Sequence, residues 1–169
     1  MTTEEIIEKI ISRDTHKVWE AACKIIELGR DREKIAPLIE YLPLITEKTG
    51  GLDMGGGFAN NQRFIDYAIT TIEFHKNNQC PCGLYVAKYT STHQAYLNKK
   101  IQYECTNPNR EVEKGNIKIL DIVRIEEKWV DYYLVECLKC GTKYKVEERE
   151  GHYMWWHWIK IKKRKICKK

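Results

Sequence analysis

Four cysteines stand in two tight pairs, each followed at once by a glycine: Cys80-Pro81-Cys82-Gly83 and Cys137-Leu138-Lys139-Cys140-Gly141. Few features constrain a chain more. Four thiolates satisfy one tetrahedral ion, and an ion held by both pairs ties together points that 54 residues separate. Cys-x-x-Cys-Gly is the turn of a zinc knuckle, in which glycine accepts φ > 0 and backbone N–H groups turn toward the sulfurs. Cys-x-Cys-Gly is a tighter version. The separation exceeds the roughly 15–20 residues of a compact ribbon. Two other readings stay open. The cysteines are buried thiols, or Cys137 and Cys140 form a redox dithiol. The redox reading needs the motif to open a helix after a strand, and here it lies between two strand-like runs. The expectation is one structural zinc on Cys80, Cys82, Cys137 and Cys140, with Cys105 as a spare ligand. Cys23 reads as helix filler and Cys167 as a thiol of the tail.

The apolar period changes near the first pair. Before it, Ile6, Ile7, Ile10 and Ile11 form a helical stripe, and Val18, Ala21, Ala22, Ile25 and Leu28 form another. Asp14 caps the second helix and Gly29 is expected to stop it as a C′ residue. Asp31 caps a third helix, about Arg32 to Leu42, in which Pro37 is uncomfortable. Thr49 to Gly57 is glycine-rich but lacks the Gly-x-x-x-x-Gly-Lys pattern of a phosphate loop, so it reads as a connection. Asn60 to Lys76 is a further helix. After Cys80 the period becomes two. Leu84–Tyr89, Ile101–Cys105, Ile117–Ile125, Trp129–Glu136, Thr142–Glu148 and Tyr153–Ile161 read as strands, and Asn107-Pro108-Asn109 as a turn. Successive strands without intervening helices make an antiparallel sheet. The expected class is α+β: a HEAT-like helical region over 1–77, an antiparallel β region with a zinc-ribbon-like four-cysteine site over 78–161, and a basic tail over 162–169.

The net charge of +5 misleads until it is located. Residues 160–169 hold seven Lys/Arg and no acid, and without them the balance is −2. Residues 1–79 carry −3 and residues 80–159 carry +1. A nucleic-acid-binding domain usually spreads positive charge over a face, whereas a short basic tail serves solubility or loose ionic contact. No apolar run approaches the roughly 18–20 residues of a membrane span. An odd count of seven cysteines and an acidic, helical N-terminus lead us to expect a reducing, cytoplasmic setting.

No catalytic set emerges, and four cysteines leave no open position on an ion, so an enzyme is not expected. The five histidines are scattered, and His152 and His157 point to opposite faces of a regular strand. The run Tyr153-Met154-Trp155-Trp156-His157-Trp158 alternates Tyr153, Trp155 and His157 on one face with Met154, Trp156 and Trp158 on the other. Such a strand packs a sheet on both sides, or leaves one face as a partner surface, for which Tyr153, Trp155 and His157 are the candidates. A base-stacking platform is a third reading, with Lys160, Lys162 and Lys163 following directly.

HEAT-like helices, a Cys-x-Cys, a β region, Cys-Leu-Lys-Cys-Gly and Gly-His-Tyr-Met-Trp-Trp-His-Trp together resemble the bacterial immunity proteins of polymorphic-toxin and contact-dependent growth-inhibition systems. The resemblance implies a protein that binds a cognate toxin domain, often a nuclease, and blocks it stoichiometrically. It supplies no binding residues to carry over. The alternative is a zinc-containing nucleic-acid-binding module, supported by the cysteine pairs, the aromatics and the basic tail.

Overall fold

The computed structural model describes residues 1–56, 60–76, 79–127 and 129–162. Residues 57–59, 77, 78, 128 and 163–169, where parts of the expected loop, helix end, hairpin turn and tail fall, lie outside them. So does Cys167. The chain is α+β, with helices first and antiparallel sheets after them. It divides into two compact units, Met1–Tyr103 and Glu104–Lys169.

In the first unit the helical stripes become a core. α1 (Thr3–Ile11) starts with a capping box, in which Thr2 accepts from the Glu5 N–H and the Glu5 carboxylate accepts from the Thr2 N–H. α2 (Thr15–Leu28) starts at Asp14, which accepts from the Lys17 N–H at 2.9 Å. α3 (Arg32–Ile35), α4 (Leu42–Thr49) and α5 (Gln62–His75) complete the set. Ile6, Ile10, Val18, Ala21, Ala22, Ile25, Ile45, Ile65 and Ile72 are buried in one cluster. Each isoleucine so buried stabilises the fold by about 1.5–3 kcal/mol.

The third helix differs from the expectation. α3 is one turn, and Ala36–Leu38 follows as a 3₁₀ turn with Pro37 near its start. Proline has no N–H to give and clashes with the preceding turn, so the helix cannot run through it. Gly29 does end α2, but its φ is −57° and not left-handed. A Cβ there would stand 2.5 Å from Thr71 Cγ2, so the glycine serves the approach of α2 to α5.

The expected strand at 84–89 is mostly a 3₁₀ helix, Pro81–Val86, with β1 (Lys88–Thr90) after it. β1 pairs with β2 (Lys100–Gln102). Tyr67 of α5 stacks on Tyr103, with ring centres 4.2 Å apart, and donates its hydroxyl to Leu84 O at 2.6 Å. The buried Asp66 accepts from the Thr92 N–H at 2.9 Å and the Thr92 hydroxyl at 2.8 Å.

The second unit opens with α6 (Pro108–Glu113), a helix where a turn is expected. Asn107 caps it by accepting from the Asn109 N–H, and proline sits in its first turn, where no N–H is needed. β3 (Ile117–Glu126), β4 (Trp129–Cys137), β5 (Lys143–Glu150) and β6 (Met154–Lys160) then form an antiparallel sheet in chain order. One face is apolar: Ile117, Tyr133, Val135, Tyr144, Val146 and Trp158 are buried, and the register sets Tyr133 beside Val146 and Val146 beside Trp158. The other face carries a charge ladder, with Lys118 to Glu136 at 3.0 Å and Lys145 to Glu147 at 2.8 Å. The segment from Glu104 to Thr106 runs beside β6: Trp156 N–H donates to Glu104 O, and the Trp158 indole donates to Thr106 O, both at 2.9 Å.

Candidate metal centre and the two ends of the sheet

The four paired cysteines come together. The sulfurs of Cys80, Cys82, Cys137 and Cys140 all lie within 4.8 Å of one another. Sulfurs placed about 2.3 Å from a central ion in a tetrahedron are about 3.8 Å apart. The cluster therefore has the size and the soft, all-thiolate chemistry of a closed four-coordinate site. Cys105 is not part of this group.

Local structure presents each pair. Cys80 precedes the 3₁₀ helix at Pro81, and its carbonyl accepts from the Gly83 N–H at 2.9 Å, so Cys80 and Cys82 share one tight turn. The Arg30 guanidinium lies 4.0 Å from the Tyr85 ring centre and donates to Pro81 O at 2.8 Å, holding that turn from α2's end. Gly83 is needed for space: a Cβ would sit 2.7 Å from Phe74 Cζ. The second pair is the β4–β5 turn. Gly141 N–H donates to Cys137 O and Cys137 N–H donates to Thr142 O, both at 2.9 Å. Gly141 has φ +68°, the left-handed conformation that a knuckle glycine supplies. Leu138 N–H donates to Asn116 O at 3.1 Å, and the Asn116 amide donates to the buried Glu111 carboxylate at 2.9 Å, so α6 and its loop brace the turn. The Cys140 thiol donates to Thr142 Oγ1 at 3.2 Å. Cys82 and Cys137 are buried, Cys80 is half-buried and Cys140 is exposed.

The aromatic strand splits its candidates. Tyr153 is exposed before β6 begins, Trp155 is half-buried, and His157 Nδ1 sits 2.7 Å from Glu104 Oε1. Of the opposite residues, Trp158 is buried, Trp156 is half-buried and Met154 is exposed. Trp156 donates its indole N–H to Glu148 at 2.9 Å, and the same carboxylate accepts the Tyr133 hydroxyl at 3.0 Å. Burial and the Glu148 carboxylate push the Tyr133 hydroxyl above its usual pKa.

Apart from Tyr153, sequence reasoning missed the end of the sheet away from the cysteines. The antiparallel order brings the β3–β4 and β5–β6 connections to that end. There Ile125 is 70% exposed and Trp129 54%, with Tyr153 and Met154 also exposed. Glu126, Glu127 and Glu150 are exposed at the same end. Register shifts beside Leu120 and Ile125 break the alternation of β3, so an alternating pattern could not locate these residues.

Compared with protein-family models, curated proteins and solved structures, the chain matches none. No helix among the described residues is long and apolar enough to cross a membrane.

Proposed function

We propose that this protein is a non-catalytic binding protein that neutralises a cognate toxin domain, a nuclease in particular, by stoichiometric contact, and that the ion on its four cysteines is zinc. Zinc follows from chemistry. Four thiolates close enough to share one ion favour it over oxygen-seeking ions, and a site filled by four sulfurs leaves no position for a substrate.

The observation that carries the binding role is the apolar end of the four-stranded sheet. Ile125, Trp129, Tyr153 and Met154 are exposed at this end, which also carries Glu126, Glu127 and Glu150. Large aromatic side chains in such a setting are the usual hot spots of protein interfaces. The acidic border suits a partner whose own cleft is cationic, as one that grips phosphates must be. The resemblance to immunity proteins supplies the partner class. Such a complex has to outlast cell division, so nanomolar affinity or better is required, about −12 kcal/mol.

Co-expression with the toxin domain encoded beside it should keep cells alive, and the purified pair should form a 1:1 complex. Ile125→Asp with Trp129→Asp should leave the fold intact and abolish both. Cells that die despite abundant folded protein would refute the reading.

A further inference from the structure

The cysteine end of the sheet carries a second feature. β5 begins at Lys143 and β6 ends at Lys160, and Ile161 N–H donates to Lys143 O at 2.9 Å, so pairing continues one residue past β6. At these paired strand ends lies an open cleft of about 430 Å³, lined by Gly141, Thr142, Lys143, Lys160, Ile161 and Lys162. Among these described lining residues three are lysines and none is acidic. Lys143 sits 3.7 Å from Glu136, a carboxylate it shares with Lys118 at 3.0 Å. Lys160 and Lys162 have no carboxylate within ion-pairing distance among the described residues, and both are exposed. Gly141 leaves its side of the cleft bare, with nothing within 4 Å of where a Cβ would stand.

We propose that this cleft is a phosphate-binding groove for single-stranded nucleic acid. Converging cations with little balancing acid call for an anion. In sequence, Lys160 and Lys162 open a run, residues 160–169, with seven Lys/Arg and no acid. Lysine's ammonium is a rotatable point charge, so it tolerates a shifting row of phosphates along a phosphodiester chain. The opening lies at the paired ends of β5 and β6, where an unpaired strand can bend to follow the lysines and a stiff duplex cannot. Ile161 and Gly141 offer an apolar floor for a sugar. Contacts of this kind read charge and not sequence. The groove stands at the end of the sheet opposite the proposed toxin surface and does not depend on that reading.

The test is fluorescence anisotropy of labelled oligo(dT) and oligo(U), with poly-glutamate and duplex DNA of equal charge as competitors. The intact protein should bind both single strands, and log Kd should rise linearly with log salt. The double variant Lys160→Glu, Lys162→Glu should bind at least tenfold more weakly. Its salt slope should be shallower by about 1.4, from about 0.7 per lost phosphate contact on a single strand. Lys160→Arg with Lys162→Arg should bind as the parent does, which separates loss of charge from loss of fold. The proposal is overturned if the Glu variant binds oligo(dT) as tightly as the parent, because the charge beyond residue 162 would then be sufficient. It is also overturned if duplex DNA or poly-glutamate competes better than an unlabelled single strand. Binding of the toxin domain by the Glu variant should be unchanged, so the two readings fail independently.

Discussion

Two glycines show how a residue's reason is found in its surroundings. Gly29 and Gly141 both follow segments where a glycine stop or turn is expected. Only Gly141 uses left-handed backbone, at φ +68° with open space around it. Gly29 has an ordinary helical φ and is pressed against Thr71. Gly29→Ala should therefore destabilise by about 1–3 kcal/mol through overpacking, read as a lower urea midpoint with an unchanged slope. Gly29→Ala combined with Thr71→Ser, which removes the clashing methyl, should recover most of the loss. Beside this contact, His75 is buried, with Nε2 2.8 Å from Gly29 O and Nδ1 without a hydrogen-bond partner. Nε2 must carry the proton to meet a carbonyl, so the neutral ring fits. Burial lowers the His75 pKa, and the Arg32 and Arg30 charges lower it further, against the raising effect of the Gly29 carbonyl. A histidine lowered in the fold binds fewer protons there than in the unfolded chain. Its contribution is complete above the ordinary value of about 6.5 and declines as pH falls from there through the lowered folded value. Stability should fall as pH drops below about 6.5, and His75→Gln, whose amide can still donate to Gly29 O, should flatten that slope. An equally steep slope in the variant would assign the effect to other groups.

Among the elements, what the sequence made legible was what local chemistry decides. α1 and α2 follow from isoleucine stripes and the Thr2 and Asp14 caps, and α2's bounds match the expectation. β4, β5 and β6 follow from alternation between turns. The cysteine cluster was legible because each pair carries its own turn, and a candidate ligand set needs only that its two turns meet. The departures have one kind of cause, the weight of partners distant in sequence. Leu84-Tyr85-Val86 has strand propensity, but Leu84 O accepts from Tyr67, and Leu84 and Tyr85 are both buried, so packing imposes a 3₁₀ turn. Pro108 reads as a turn residue, and only the Asn107 cap and the burial of Glu111 under the Asn116 amide make it the start of α6. The exposed end of the sheet was hidden by register shifts in β3, which no count of alternating residues can place.

For the whole molecule the four sulfurs matter through the span they close. With Cys82 and Cys137 on one ion, the 54 residues between them form a closed loop. A cross-link of that length removes about 4 kcal/mol of chain entropy from the unfolded state by the loop-closure relation. An ion that binds only the folded arrangement stabilises by mass action, about 4 kcal/mol at a thousandfold excess over its Kd. Protein purified without chelator should thus carry one equivalent of zinc per chain. Stripping it should lower the thermal midpoint, and zinc should restore it where magnesium does not. Cys137→Ser with Cys140→Ser should hold the low midpoint with or without zinc. Thiols must lose their protons to bind, so the rise in midpoint on adding zinc should shrink as the solution is acidified. A stripped protein that keeps its midpoint, or a double variant that keeps its full equivalent of metal, would remove the ion from these four sulfurs. The knuckle would then be held by Gly141, Thr142 and the Asn116–Glu111 brace alone, a geometry the backbone already sustains through its own hydrogen bonds.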